Sequence, residues 1–147
     1  MSRKADIRHA TFHSLLILGR VAHSQGDYRK ARAFYIEALA LQKRRVSPLF
    51  NLTGLKTYVT TVSYPLEALA ILASAQNQME RAARLIGAAE NFYTPIRFEM
   101  SARERAEHDQ AIASASTALG EEAFAMAQAE GRGMTIEQAV AYALEEN

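Results

Sequence analysis

The chain has 147 residues, a formal net charge of +1 and no cysteine. The missing cysteines exclude disulfides, thiolate zinc sites and cysteine nucleophiles, and the length suits a single domain, residues 1–147, with its own hydrophobic core. No apolar run approaches the roughly 20 residues that span a bilayer, and the charged segment Met1–Arg8 does not look like a secretion signal. We therefore expect a cytoplasmic protein without a membrane partner.

Charge is spread unevenly along the chain. Residues 1–50 carry ten Lys or Arg and three Asp or Glu, a balance of +7, whereas residues 101–147 carry three and nine, a balance of −6. Such asymmetry is typical of an interaction end, or of two ends that attract each other. Solvated helix faces of different sign are the plainer alternative.

Two helices are predicted in the first third of the chain. Apolar residues recur at three- and four-residue steps in Phe12–Ala22, and Gly26-Asp27 then interrupts the pattern. A second helix runs through Tyr28–Leu41, and the basic tract Lys43–Arg45 suits its last turn, where cations complement the helix dipole. Ser47-Pro48 ends it, because a proline pushes the preceding residue out of the α region.

The middle of the chain is less regular. Residues 49–62 are rich in β-branched side chains, which lowers helix propensity, so we predict only a short helix there. Pro65 fits best in the first turn of the next helix, where its missing N–H has no cost. That helix is expected to run to about Gln76, and another from Met79 to about Phe92.

The last third contains clear helix signals. Ser101-x-x-Glu104 and Thr135-x-x-Gln138 are capping boxes, in which two side chains satisfy free backbone N–H groups at a helix start. The first opens a helix that should end near Gly120. A further helix, Glu121–Glu130, should be stopped by Gly131-Arg132-Gly133.

Two segments of the chain share one residue spacing at an offset of 51 residues. The recurring positions are Leu15, Leu18, Gly19, Ala22, Gly26, Tyr28, Ala31, Tyr35 and Ala38 in the first copy and Leu66, Leu69, Ala70, Ala73, Asn77, Met79, Ala82, Ile86 and Ala89 in the second. The small residues at Gly19 and Ala31, with their equivalents, should let two helices approach closely. The larger residues, Leu18 among them, should fill the groove between helix pairs. Gly26 and Asn77 suit a left-handed turn position.

This pattern resembles the tetratricopeptide repeat, a helix pair of about 34 residues. The runs Glu80–Glu90, Ala118–Phe124 and Ile136–Leu144 also resemble the C-terminal region of bacterial LuxR-type and related signal-transduction ATPase transcriptional regulators. The resemblance implies an all-α, α-α superhelix of tetratricopeptide-like pairs. Its parts are repeat 1 at 12–45, an insert at 46–62, repeat 2 at 63–96 and a helical C-terminal cap at 101–147.

These regulators carry a nucleotide-binding module, a tetratricopeptide array and often a DNA-binding domain. From the resemblance we expect a protein–protein interaction module of a bacterial transcriptional or signalling regulator. The expected partner is a protein or peptide, or the upstream domains of a larger regulator. The phosphate-binding loop Gly-x4-Gly-Lys-Ser/Thr of the family's ATPase is absent from this sequence, and no nucleotide cofactor is expected.

First-helix residues outside the packing positions should line a concave face suited to a peptide or a neighbouring helix. They are His13, Leu16, Arg20 and His23 in the first copy, and Tyr64, Glu67, Ile71 and Ser74 in the second. An alternative is that the chain's own additional helices fill this groove. With two repeats only, the open end at Phe12–Ala22 should expose apolar surface, so a homodimer or an upstream array is expected to cover it.

Sharper chemical hypotheses have little support in the sequence. His9 and His13 have the spacing of a helical zinc pair, but the Glu of His-Glu-x-x-His is missing and no metal site is predicted. No Ser has the nearby His and acid that nucleophilic catalysis needs, so we do not expect an enzyme. The alternative function is a nucleic-acid-binding regulator that uses the basic N-terminal third. Against it, the last helix has acidic residues and no Lys or Arg, and phosphate contact requires cations.

Overall fold

A computed structural model of the chain describes residues 3–43, 55–91 and 102–145. Apart from short turns these ranges are helical and contain no strand, so the predicted all-α class is confirmed. The helices are α1 (Arg3–Ser24), α2 (Tyr28–Lys43), α3 (Leu55–Ala75), α4 (Met79–Asn91), α5 (Ala102–Leu119), α6 (Glu121–Arg132) and α7 (Ile136–Leu144). None of these seven is both long enough and apolar enough to cross a membrane.

The turn between α1 and α2 is the same as the turn between α3 and α4. In the first turn the backbone N–H of Asp27 donates to the carbonyl oxygen of Ala22 at 2.9 Å, and the residues 51 positions later make the same bond at 2.8 Å. Gly26 has a φ of 80° and Asn77 a φ of 66°, as a left-handed turn position requires. The two copies therefore close their helix pairs by one local mechanism.

The small residues of the repeat lie where helices meet. A Cβ atom on Gly19 would come within 2.7 Å of Cδ1 and 2.9 Å of Cζ of the Tyr35 ring, so glycine lets this ring pack directly against α1. Ala31, Ala70 and Ala82 are completely buried. Among the other repeat positions, Ala38, Leu69 and Ala89 are also buried.

Helix α3 is longer than the sequence predicts. It starts at Leu55, within the predicted insert 46–62, and continues through Pro65, so the prediction that Pro65 lies in a first turn is wrong. Proline removes one backbone hydrogen bond inside a helix, but its ring is fully buried here and contributes apolar burial that offsets the loss. The predicted stop at Ser47-Pro48 and the Ser101 capping box lie outside the described residues.

Helices α4 and α6 cross at two glycines. A Cβ on Gly87 would lie 2.9 Å from the carbonyl carbon of Gln128, and one on Gly131 would lie 2.8 Å from the backbone nitrogen of Ala88. Gly131 is therefore a contact residue inside α6. The helix continues two residues past the predicted Glu130 and ends at Arg132, with Gly133 as its C-cap, so the predicted stop within Gly131-Arg132-Gly133 is confirmed. Propensity is a weak signal that close packing overrides at this position.

The first helix exposes apolar side chains at the end of the array. Ile17, Leu18 and Val21 are 62%, 46% and 47% exposed. The repeat pattern predicts that Leu18 fills a groove between helix pairs, and this prediction is wrong. Its equivalent, Leu69, is only 4% exposed, because α3 has α2 packed beside it and α1 has no such neighbour among the described helices.

Helix α7 lies across α2, α3 and α4 and is held at both ends. At its start the predicted capping box of Thr135 and Gln138 is confirmed, with reciprocal bonds of 3.1 and 3.0 Å. At its end Nη2 of Arg81 donates to the carbonyl oxygens of Tyr142, Ala143 and Glu145 at 3.0–3.2 Å. The arginine also lies 5.0 Å from the centre of the Tyr142 ring, a cation–π contact.

We expect the variant Arg81→Met to loosen α7 while leaving the other helices in place. The loss of charge-assisted hydrogen bonds to three carbonyl oxygens should cost about 2 kcal/mol. Hydrogen exchange measured by mass spectrometry should show faster exchange confined to α7. The control variant is Arg29→Met, which removes an exposed arginine of α2 and should leave this exchange unchanged. Equal exchange of α7 in both variants would contradict the anchoring role.

Candidate functional site

A cavity of about 940 Å³ lies between α1, α3 and α5. The structure brings all eight residues that were predicted for the concave face to its walls. They are His13, Leu16, Arg20 and His23 from α1, and Tyr64, Glu67, Ile71 and Ser74 from α3. Their spacing of three and four residues keeps each set on one side of its helix.

The third wall of the cavity comes from α5, which the repeat pattern places only in the C-terminal cap. Arg103, Glu107, Gln110, Ala111 and Ser114 line the cavity from this helix. They also follow helical spacing, but α5 does not repeat the residue pattern of α1 and α3, so no sequence alignment pointed to it. Helix α5 therefore forms one wall of the groove but does not fill it.

The cavity is lined by both apolar and charged side chains. The apolar lining includes Leu16, Val21 and Ile71, and Ile17, whose side chain is 62% exposed. The charged lining includes exposed Arg20 and an ion pair in which Nε of Arg103 lies 3.2 Å from Oε1 of Glu107. Apolar surface and charges of both signs therefore meet in one cavity, a combination suited to a partner with an apolar face and polar edges.

Glu67 lies on the cavity wall and contacts a histidine, His108, that does not line the cavity. Oε1 of Glu67 is in contact with Nδ1 of His108 on α5, and the two side chains are only 10% and 16% exposed. The hydrogen bond to Glu67 raises the pKa of His108 above its usual value; burial opposes this shift, and the charges of Glu67, Asp109 and Glu90 reinforce it. The pair ties α5 to α3 and so sets the width of the cavity. Sequence reasoning missed it, because the two residues lie far apart in the chain.

Two other titratable groups of the wall are shifted mainly by burial. Burial raises the pKa of Tyr35 to about 12, so its hydroxyl stays protonated at any ordinary pH. Burial lowers the pKa of His23, and the nearby carboxylate of Glu107 partly opposes that shift. At neutral pH this part of the wall therefore presents a neutral phenol and a neutral imidazole.

The described residues also show where the histidines, acids and serines of the site lie. Within the described ranges, no group of three His, Asp or Glu side chains is placed to hold a metal ion. The side chain of His9, one member of the predicted pair, lies outside the described residues. Ser74 and Ser114 line the cavity, and the histidine that contacts an acid, His108, is not among the lining residues.

Comparisons of the chain with family models, with curated proteins and with solved structures found no match.

Proposed function

We propose that the protein is a binding module that holds an amphipathic helix of a partner protein in the cavity between α1, α3 and α5. The observation that carries the proposal is that equivalent residues of both copies line one cavity together with apolar side chains. A helix with apolar side chains at i, i+3, i+4 and i+7 matches such a groove, since those residues form one stripe. The proposed role includes no chemical step.

The regulatory setting of this proposal comes from the sequence resemblance. It points to a cytoplasmic bacterial transcriptional or signalling regulator, in which the module would hold a partner protein or another domain. Binding to a pre-formed groove needs little ordering of the protein, which favours affinity. The Glu67–His108 contact supports such pre-formation, because it joins α3 and α5, which form two walls of the cavity.

The test uses synthetic peptides of about 18 residues, long enough to form a helix. One peptide places leucines at i, i+3, i+4 and i+7, and the other has the same composition with that period scrambled. Fluorescence anisotropy of labelled peptides should show binding of the periodic peptide only. A labelled DNA duplex is measured in parallel, over a range of salt concentration.

Adjacent residues on α5 offer matched variants for this test. Ser114→Trp places an indole in the cavity and should weaken peptide binding by roughly tenfold or more. Ala113→Trp adds the same group at an exposed position outside the cavity and should change binding little. Equal binding of both peptides, or equal loss in both variants, would contradict the groove. Salt-sensitive binding of DNA without peptide binding would favour the nucleic-acid alternative instead.

A further inference from the structure

The exposed apolar side chains of α1 occupy positions that are buried one helix pair later. Leu18 is 46% exposed and Val21 47%, whereas their equivalents Leu69 and Leu72 are 4% and 1% exposed. The difference has a simple cause. Helix α2, the second helix of the preceding pair, packs against α3, and nothing in the described part of the chain packs in the same place against α1. The surface of α1 therefore has the chemistry of an interface between helix pairs.

We call this surface the α1 edge. It comprises Ser14, Ile17, Leu18 and Val21, which are all exposed and follow the i, i+3, i+4, i+7 spacing of one helix stripe. By the equivalence with α3, the neighbour that suits this edge is the second helix of a helix pair.

Such a helix is available at the other end of the molecule. Helix α6 follows α5 as α2 follows α1, and its inner side packs on α4 through Phe124, Ala127 and Gly131. Its opposite side is solvent-exposed, and we call it the α6 face. It comprises Glu122, Ala125, Met126 and Ala129, again at i, i+3, i+4 and i+7. Met126 is 61% exposed, and the two alanines beside it leave room for larger side chains.

The two ends also have opposite charge. The first 50 residues carry a balance of +7 and the last 47 a balance of −6. Near the surfaces themselves, Arg20 and Arg29 are exposed on α1 and α2, and Glu121 and Glu122 are exposed at the start of α6. Contact between the α1 edge and the α6 face therefore brings unlike charges together, whereas two α1 edges would oppose basic segments.

We propose that copies of this chain associate head to tail, with the α6 face of one copy packed on the α1 edge of the next. The contact repeats the packing of α2 on α3 between molecules. It is heterologous, since each copy uses two different surfaces, so it extends into chains or closes into rings. The α1 edge borders the peptide groove, since Ile17 and Val21 line the cavity, but Leu18 and Met126 do not and can be changed without altering the cavity lining.

Two exposed substitutions test this arrangement in the full chain. Leu18→Glu puts a charge on the α1 edge, and Met126→Glu puts one on the α6 face. Sedimentation velocity of the wild-type protein should show assembly that grows with concentration. Raising NaCl from about 50 to about 500 mM should weaken it roughly tenfold through screening. Circular dichroism checks that both variants are folded, and each should bind the periodic peptide as the wild-type protein does.

Mixing the two variants distinguishes head-to-tail association from a two-fold dimer. Each variant alone should be a monomer, because every contact then needs one altered surface. An equal mixture should form a one-to-one dimer and nothing larger, since one intact edge and one intact face remain. A monomeric wild-type protein overturns the proposal. So does dimerisation of either variant alone, which indicates a two-fold contact, and so does a mixture that stays monomeric. Failure of peptide binding with normal assembly contradicts only the proposed groove.

Discussion

The variant Gly131→Ala should lower the free energy of unfolding by about 2 kcal/mol. Its Cβ would lie 2.9 Å from the carbonyl carbon of Arg84 and 2.8 Å from the backbone nitrogen of Ala88, and backbone atoms cannot rotate away as a side chain can. We take a steric cost of about 3 kcal/mol for such overpacking. The better helix propensity of alanine offsets about 1 kcal/mol of that cost.

Gly133 provides the matched control, two residues further along the chain. A Cβ there would lie 3.6 Å from its nearest neighbours, an ordinary contact, and its φ of −80° is accessible to alanine. Gly133→Ala should therefore be neutral or slightly stabilising. Urea unfolding followed by circular dichroism measures both variants. Similar midpoints for the two would show that α4 and α6 do not depend on the glycine crossing.

The variant His108→Ala should cost about 3 kcal/mol at pH 6.5. It removes the contact of His108 with Glu67, whose side chain is only 10% exposed between α3 and α5. Breaking a buried pair by removing one partner is costly, because the remaining charge has lost its compensation. Changing Glu67 to glutamine in the same chain should recover part of the loss, which a double-mutant cycle would show. If the double variant is as unstable as His108→Ala alone, the pair is not the source of the effect.

The same pair predicts a dependence of stability on pH. The pKa of His108 is raised in the folded protein, so the stabilisation is fully present below about 6.5, the value of an unperturbed histidine. It is lost as the pH rises through the folded pKa. The pKa of His23 is shifted in the opposite direction, so this residue affects stability only at pH values below about 6.5. The difference in unfolding free energy between the wild-type protein and His108→Ala should therefore shrink from pH 6.5 upward. A difference that stays constant over that range would contradict the assignment.

Local features of the fold follow from the sequence because they depend on neighbouring residues. Helix hydrogen bonds join residues four apart, so apolar spacing predicts the helices of the first and last thirds. The turn at Gly26 and Asn77 requires a positive φ, which few residue types accept, and the cap at Thr135 needs only the residue three positions later. Repeated spacing also indicated which residues of α1 and α3 share the cavity.

Tertiary structure decided the features that depend on residues distant in the chain. Pro65 lies inside a helix because its ring is buried, and Gly131 is a contact residue because α4 passes against it. The third wall of the cavity and the contact of Glu67 with His108 need α5 beside α3, which no periodic pattern encodes. Leu18 and Leu69 occupy the same repeat position, and only the neighbour of each helix determines that one is exposed and the other buried. Local residue patterns therefore predict most of the helices and the turns that join the repeat pairs, although not the extent of α3. The stacking of the helices determined the site, because burial depends on the whole set of neighbours around a residue.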